Sequence, residues 1–325
     1  MIHHTGNHLF RTLYKLALLA MAIFVVSINQ LDAQQKNLFE AVRNNNLKEM
    51  TALLDEGANP NAYDDDSDNV LINAAIYASA DCMKLLLQRK ADPNLKNKYG
   101  QTPLMLCTHE LSRMKLLLHY GADVNAKSNS ENTALFIACS EYGLYKNIKW
   151  LIDNGADALF KRWGGVTTLM QAVVFADTMT IRLLLSKGVD VNAKPWGASS
   201  ALINAARYAN WPAVICLLNH GADAAVQDEV NMPPALWAAE YNNVPVLQLL
   251  LQKTKYINTI DSLGGMTPLM WATYNEHDNP QIIKMLLDKG ASINVKDKRG
   301  ETALSWAMKK GNTATVTLLK NAGAE

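Results

Sequence analysis

The sequence predicts an all-α fold in which helix–turn–helix units stack along most of the chain, with extended, hairpin-like loops between them. Three observations predict it: a period of about 33 residues, a motif that begins a helix, and a glycine turn that ends one. A repeat of this length is typical of arrays in which each unit buries its apolar face against its neighbours. We therefore expect a solenoid.

The period is carried by a leucine that recurs at intervals of 31 to 35 residues. A hydroxyl residue often stands two positions before it and can cap a helix, as at Thr102, where Pro103 would take the first helical position. Asn69 can serve the same purpose. The recurring leucines are Leu38, Leu71, Leu104, Leu135, Leu169, Leu202, Leu236, Leu269 and Leu304.

In most units a glycine follows the predicted second helix. A left-handed turn is expected there, and such a turn disfavours residues with a Cβ atom. Lys90 and Thr254 stand at the same place in two units and are expected to make the same turn. The sequence GADVN is intact at 121–125, but its asparagine is missing at Leu159 and Ala225, and the motif also departs across 254–258, so we expect those three turns to be less rigid. The turn glycines are Gly57, Gly121, Gly155, Gly188, Gly221, Gly290 and Gly323.

These motifs resemble the ankyrin repeat. The family's TPLH-x-A motif corresponds here to TPLMLC at 102–107, TPLMWA at 267–272 and TALSWA at 302–307, with apolar residues such as Met105 at the histidine position. The resemblance implies an ankyrin-repeat domain over residues 34–325 with about nine repeats. Their expected bounds are near 36–68, 69–101, 102–132, 133–166, 167–199, 200–233, 234–266, 267–301 and 302–325. The third repeat is the shortest, and its missing residues are expected in the interhelix loop around 110–112.

Residues 1–33 differ from the repeats. Arg11 and Lys15 precede the apolar stretch 16–28, and Ala33 follows a polar segment, which is the pattern of a secretory signal peptide. The stretch is shorter than the roughly 20 residues that span a bilayer, which favours a cleaved signal over an anchor at residues 9–28. No N-x-[ST] sequence is present, so we expect export in a bacterium, to the periplasm or the cell exterior, without stable membrane insertion once the signal is cleaved.

The charge balance excludes one class of partner. The 31 basic and 30 acidic residues leave a formal net charge of +1. Proteins that bind nucleic acid or anionic membranes carry a basic patch, and none is evident, so no nucleic-acid partner is expected. Lys309, Lys310 and Lys320 in the last repeat are interpreted as the polar surface of a capping unit.

Catalytic and metal-binding motifs are missing as well. The sequence contains no GxSxG, HExxH, GxxxxGK[ST] or GxGxxG, so no catalytic residue, cofactor or metal is expected. The acidic run 64–68 has the spacing of a calcium loop, but Asn69 replaces the required glycine and Ala75 the final glutamate, which indicates a solvated loop. The cysteines are widely separated and predict buried free thiols, since a disulfide framework or a zinc site would need closer spacing.

The candidate binding residues are aromatic. Five of them recur every 33 residues at the expected end of the first helix, and a sixth, Tyr77, has the related place two repeats earlier. In an ankyrin-like stack these rings and two loop-tip tryptophans would line the concave face, where aromatic side chains anchor interfaces. They could equally only pack against the next helix. The candidate set is Tyr77, Tyr142, Phe175, Tyr208, Tyr241, Tyr274, Trp163 and Trp196.

The resemblance and the aromatic row together predict a monomeric, non-enzymatic module that binds an unidentified protein. A stack of helices presents a preorganised surface whose side chains need little ordering on contact. The alternative is a glycan or small-ligand binder, because aromatic rings in a groove also stack on sugars. An enzyme is the third reading.

Overall fold

The computed structural model describes residues 33–196, 199–254, 257–274 and 278–325, together with Met21. Within these ranges the chain is helical, with isolated β-bridges at Tyr63–Asn69 and Lys161–Thr167 and no β-strand. The all-α prediction is therefore confirmed. The predicted signal peptide, residues 1–33, lies outside the described residues except at positions 21 and 33. None of the described helices is long and apolar enough to cross a membrane.

The chain divides into two compact units, Met1–Ala134 and Leu135–Glu325. In the first unit, α3 packs on α5, while α2 packs on α4 and α4 on α6, so alternate helices lie in two layers. Its helices are α1 (33–43), α2 (Leu47–Asp55), α3 (Val70–Tyr77), α4 (Ala80–Gln88), α5 (Pro103–Leu106) and α6 (Leu111–His119).

The second unit repeats this arrangement. The odd-numbered helices α9 to α17 pack in succession, and the even-numbered helices α8 to α18 form the other layer. We call the odd-numbered helices inner and the even-numbered helices outer. They are α7, which begins at the last residue of the first unit (Ala134–Ala138), α8 (Tyr145–Asp153), α9 (Thr168–Phe175), α10 (Thr178–Ser186), α11 (Ala201–Arg207), α12 (Trp211–Asn219), α13 (Pro234–Glu240), α14 (Val244–Lys253), α15 (Pro268–Tyr274), α16 (Pro280–Asp288), α17 (Ala303–Lys310) and α18 (Thr313–Asn321).

The periodic leucines form the core. All nine are buried, and Leu38, Leu135 and Leu236 are completely inaccessible. Each large apolar side chain removed from water in this way contributes about 1.5–3 kcal/mol. The period read from the sequence is therefore the period of the packing.

Side-chain caps begin most inner helices as the motif predicts. Thr267 accepts a hydrogen bond from the Met270 amide at 3.3 Å, and Asn69 accepts one from the Ile72 amide at 2.9 Å. Thr302 and Ser305 form a reciprocal capping box. Each cap satisfies an amide that the helix itself leaves without an acceptor.

Thr102 departs from this pattern, and its predicted cap is wrong. Its hydroxyl accepts no bond from α5 and is buried without a partner among the described residues. The reason is the length of the helix: α5 has four residues, its first is Pro103, and the Met105 amide donates to the Thr102 carbonyl oxygen at 3.1 Å. The missing residues of the third repeat thus shorten the inner helix, whereas Leu111 and Ser112, expected in a loop, begin α6.

The glycine turns are left-handed as predicted, with φ between 84° and 100° at the seven positions. Lys90 adopts the same conformation, with φ 67°. Thr254 does not, and the expectation for it is wrong: its φ is −117° and its backbone is extended. A β-branched residue is strongly disfavoured at positive φ, so α14 ends without the turn.

In five repeats the turn asparagine forms hydrogen bonds to the turn of the next repeat. Asn94 donates to the Gly121 carbonyl oxygen at 2.9 Å and accepts from the Asp123 amide at 2.7 Å. Asn61, Asn192, Asn258 and Asn294 make the equivalent pair of bonds. Leu159 and Ala225 have no side-chain amide to make them. Lower rigidity at those turns stays a prediction, and the lost hydrogen bonds are its physical basis.

The four cysteines, Cys82, Cys107, Cys139 and Cys216, are buried and unbridged, as predicted. Burial raises the pKa of the Cys139 thiol to about 12. Burial likewise dominates at Cys107, where the pKa also rises to about 12 despite the nearby Arg113. Such thiols are packing groups, because a nucleophilic or metal-binding cysteine needs an accessible thiolate.

Candidate partner-binding surface

Six of the eight predicted aromatic residues, all except Trp163 and Trp196, lie where the inner helices end. Tyr77, Phe175 and Tyr274 are the last residues of α3, α9 and α15. Tyr208 and Tyr241 directly follow α11 and α13, and Tyr142 lies in the turn after α7. Between 36% and 75% of each side chain is exposed. These rings are therefore available for contact, although only Tyr77 belongs to the first unit.

Equal spacing in sequence does not produce one continuous row of ring contacts. Tyr142 and Phe175 meet nearly edge to face, with centroids 6.3 Å apart, but Tyr208 has no ring contact among the described residues. The repeats differ in length, so Tyr142 is the seventh residue after its leucine and Tyr274 the fifth after its own. A constant step of 33 therefore places successive rings at different points of the helix end.

A central aromatic cluster is built by Trp211, Trp237, Tyr241 and Arg207. The Tyr241 ring packs edge to face on Trp211 at 5.8 Å and lies nearly parallel to Trp237 at 6.5 Å. The Arg207 guanidinium lies 5.6 Å from the Trp237 centroid. The backbone carbonyl oxygen of Arg207 accepts a hydrogen bond from the Tyr241 hydroxyl. Stacking and cation–π contacts hold these rings in defined orientations.

Arg207 also pairs with a buried carboxylate. The guanidinium donates to the buried carboxylate of Asp228 at 2.7 Å. The Trp237 indole N–H is buried and has no acceptor among the described residues. Trp237 is therefore held by its ring contacts with Tyr241 and Arg207 and not by a hydrogen bond from its indole N–H.

A terminal aromatic cluster is formed by Trp271, Tyr274 and Trp306. The Tyr274 ring meets Trp306 edge to face at 5.1 Å and Trp271 at 5.8 Å. These rings, with Leu263 and Met266, line an open cleft of about 340 Å³. We call this space the terminal cleft.

Two buried carboxylates fix the indoles of that cleft. Asp261 accepts the Trp271 indole N–H and Asp297 accepts that of Trp306, each at 3.0 Å. Burial alone would raise the pKa of Asp297, but the bonds that it accepts from the Glu301 amide, Trp306 and the Arg299 amide outweigh burial and lower the pKa. Asp297 is therefore a structural anion that orients Trp306.

The two loop-tip tryptophans are the most exposed large apolar side chains in the described residues. Trp163 and Trp196 are each 81% exposed. The Trp196 amide donates to the Gly164 carbonyl oxygen at 2.7 Å, so a backbone hydrogen bond joins the neighbouring loop tips. Their rings extend from adjacent, connected loops.

The described residues contain no group of three or more metal-ligating side chains. The acidic run 64–68 folds on itself, because the Asp64 carboxylate accepts hydrogen bonds from the amides of Asp66 and Asp68. Asp64 also forms an ion pair with Arg43 at 2.7 Å. These contacts use the Asp64 carboxylate to shape the loop, and the Asp64 side chain is only 10% exposed.

Sequence reasoning missed Trp211, Trp237, Trp271 and Trp306. The available signal was helical spacing, because residues three or four apart share one helix face. Trp271 precedes Tyr274 by three residues and Trp237 precedes Tyr241 by four. A search for single residues at a constant step could not find such pairs.

Comparison with known families identifies the architecture. The profile of the family "Ankyrin repeats (3 copies)" matches five overlapping stretches, 38–128, 109–195, 169–261, 202–297 and 257–325, which together cover residues 38–325. The chain belongs to the ankyrin-repeat family.

Individual relatives share shorter stretches with this ankyrin-repeat protein. Rat "Ankyrin repeat and SAM domain-containing protein 6" is 43% identical over 63 residues, covering 19% of this chain and 7% of the relative. The human "Palmitoyltransferase ZDHHC17" is 46% identical over 59 residues, covering 18% and 9%. "Putative ankyrin repeat protein R664" of Acanthamoeba polyphaga mimivirus is 36% identical over 81 residues, covering 24% and 50%. The chain thus spans half or less of the length of each of these relatives.

Ankyrin repeats are generally protein–protein interaction modules. The match to the palmitoyltransferase covers only 9% of that enzyme, so its activity does not transfer. The repeat architecture does not by itself identify what is bound.

Proposed function

We propose that this protein is an exported, monomeric ankyrin-repeat protein of about nine repeats that binds another protein through the face formed by its inner helices and loop tips. It binds without catalysis and without a cofactor. The mechanism is preorganisation: packed helices hold exposed rings in place, so little side-chain entropy is lost on contact.

The observation that carries the proposal is the exposure of aromatic side chains at successive inner-helix ends. Tyr142 and Tyr208 are 75% and 60% exposed, although burial in the stack would be expected of purely structural rings. Tyrosine and tryptophan anchor protein interfaces because they bury much area with few rotatable bonds. Exposure at several repeats therefore favours a partner that extends along them.

The glycan or small-ligand alternative has weaker support. Sugar rings stack on flat, open aromatic faces, whereas Tyr142 and Phe175 meet edge to face, as do Tyr274 and Trp306. A cation also lies over the Tyr274 ring, since Lys310 Nζ is 4.1 Å from its centroid. These contacts reduce the open ring area that a sugar could use.

The test is proximity cross-linking in the native compartment, followed by identification of the captured protein by mass spectrometry. The variant Phe175→Ala plus Tyr208→Ala should lose that partner. A matched control is Met179→Ala plus Ile215→Ala, which removes exposed apolar side chains from the outer helices of the same repeats. If the folded Phe175→Ala plus Tyr208→Ala variant captures as much partner as the wild type, binding through the aromatic side chains is contradicted.

Export is tested separately by the mass of the mature protein in fractionated cells. Cleavage after Ala33 gives a chain that begins at Gln34. A mature protein that retains residues 1–33 in the membrane fraction would instead indicate an anchor, and recovery of the full chain in the cytosol would contradict export.

A further inference from the structure

We infer that the terminal cleft is the docking site for an acidic protein segment that carries an apolar anchor residue. This inference rests on the proposed protein-binding function and names the chemistry of the partner. It is carried by two observations: the cleft has an aromatic floor, and two of the cations around it, Arg299 and Lys310, have no carboxylate within ion-pair distance among the described residues.

The aromatic floor is held in place by hydrogen bonds and ring contacts, and its exposed part is Tyr274, since Trp306 is buried. The Trp306 and Trp271 indoles are fixed by the carboxylates of Asp297 and Asp261, and the Tyr274 ring packs edge to face between them. Tyr274 is 40% exposed and the neighbouring Leu263 66% exposed. An apolar side chain that entered the cleft would replace water on these surfaces without reorganising them.

The rim of the cleft is cationic. Lys310 Nζ lies 4.1 Å from the Tyr274 centroid, and Lys309 Nζ and the Arg299 guanidinium lie 5.1 Å and 5.9 Å from that of Trp306. Residues 296–310 contain five basic and two acidic side chains. Both acidic residues are engaged: Asp297 is buried beneath Trp306, and Glu301 pairs with Lys309 at 2.6 Å.

Arg299 and Lys310 remain as exposed cations beside the cleft. Neither has a carboxylate within ion-pair distance in the described part of the chain. A carboxylate of a partner could pair with either cation while an adjacent apolar residue occupied the cleft. Charge complementarity therefore selects an acidic segment over a neutral or basic one.

The capping interpretation explains polarity in the last repeat but not this arrangement. Lys320 is an exposed residue of α18. Lys310 and Arg299 come from α17 and the preceding loop, and both approach the same ring cluster. Solubility requires charge, whereas it does not require cations placed over aromatic rings.

The test is fluorescence anisotropy with labelled synthetic peptides and the intact mature protein. The probe alternates glutamate with leucine and phenylalanine, and matched peptides carry glutamine or lysine in place of glutamate. The wild type should bind the glutamate peptide about tenfold more tightly than the glutamine peptide, and added salt should reduce that difference.

Arg299→Glu plus Lys310→Glu should weaken binding of the glutamate peptide by about tenfold or more. Lys284→Glu plus Lys320→Glu, which makes the same charge change on exposed residues of α16 and α18, should leave it unchanged within about twofold. Tyr274→Ala should weaken the glutamate and glutamine peptides alike, because it removes the apolar floor. Circular dichroism checks that each variant is folded.

Equal binding of the glutamate and glutamine peptides, or unchanged binding by the Arg299 and Lys310 variant, would overturn the inference. So would tighter binding of single-stranded RNA or of phosphatidylglycerol vesicles that depends on the same two cations. Each of these results leaves the proposed function standing if the cross-linked partner is still captured. If the wild-type protein captures no partner in the cross-linking experiment, that result contradicts the proposed function instead.

Discussion

Asn192 holds the turn of the next repeat at Gly221. The asparagine side chain donates to the Gly221 carbonyl oxygen at 3.0 Å and accepts from the Asp223 amide at 2.9 Å. The repeat that contains Asn192 thus fixes the backbone at the start of the loop of the following repeat. The Asn192 side chain joins the loops of two neighbouring repeats by two hydrogen bonds.

Asn192→Ala should lower the free energy of unfolding by about 1–2 kcal/mol, because two backbone groups lose their partners. Leu159→Asn should act in the opposite direction. Leu159 already donates its amide to Asp157 at 2.9 Å, as Asn192 does to Asp190 at 2.9 Å, so a new asparagine starts from the same local backbone. Urea unfolding followed by circular dichroism measures both changes.

Leu159→Ala is the control for the gain, since it removes the same exposed side chain without adding an amide. We expect it to lie near the wild type, while Leu159→Asn gains up to about 1 kcal/mol. A Leu159→Asn variant no more stable than Leu159→Ala would show that the asparagine bonds do not contribute there.

Thr102→Val should be neutral or stabilising. The Thr102 hydroxyl is buried and makes no hydrogen bond among the described residues, so replacing it with a methyl group removes a desolvation cost and keeps the volume. Thr267→Val should cost about 1 kcal/mol, because the equivalent hydroxyl caps α15. The measurement is the urea midpoint of each variant. Equal losses of stability in Thr102→Val and Thr267→Val would contradict the prediction.

Much of the fold could be predicted because its signals are periodic. Leu104 and Gly121 each recur throughout the chain, and every recurrence adds independent support to the same helix–turn–helix unit. Thr102 shows where this reasoning stops, since its motif is complete but its helix is too short to use the cap. Thr254 shows a second limit: alignment assigned it to a turn that its β-branched side chain disfavours.

The candidate surface could be predicted only in part. A constant step identified Tyr241 and Tyr274, which are indeed exposed. Their closest ring contacts are with Trp211 and Trp306, which vary in position between repeats and so escape a search for one period. The pairing of Asp297 with Trp306 depends on how a loop folds back over the next helix, and spacing alone does not reveal it.

Glu240→Gln should stabilise the protein at neutral pH. Burial raises the pKa of the Glu240 carboxyl above its ordinary value of 4.5, which means that the folded state disfavours the charged form. Between the unfolded and folded pKa the folded state binds more protons, so wild-type stability falls as the pH rises through that window. Glutamine carries no charge and does not suffer this loss.

The measurement is the urea midpoint of wild type and Glu240→Gln at several pH values from acidic to neutral. The advantage of the variant should be present at pH 7 and vanish below the unfolded pKa. Glu141→Gln, on an exposed residue of the same unit, is the control for a general charge effect. An advantage that is the same at every pH would argue against the titration of Glu240 as its cause.

Lys90→Gly should stabilise the protein modestly, by about 0.5 kcal/mol. Lys90 has φ 67°, a left-handed conformation that costs a residue with a Cβ atom about 1–2 kcal/mol. Glycine relieves that strain but loses about 0.5–1 kcal/mol through the greater entropy of the unfolded chain, so a small net gain remains.

Lys187→Gly supplies the comparison that isolates the backbone term. Lys187 stands one residue before Gly188 and has φ −86°, so glycine relieves no strain there and should only destabilise. Gly188→Ala should cost about 1 kcal/mol from conformation alone, because an added Cβ would have no heavy atom within 4 Å. If Lys90→Gly destabilised the protein as much as Lys187→Gly, the lysine side chain at position 90 would have to contribute more than its backbone strain costs.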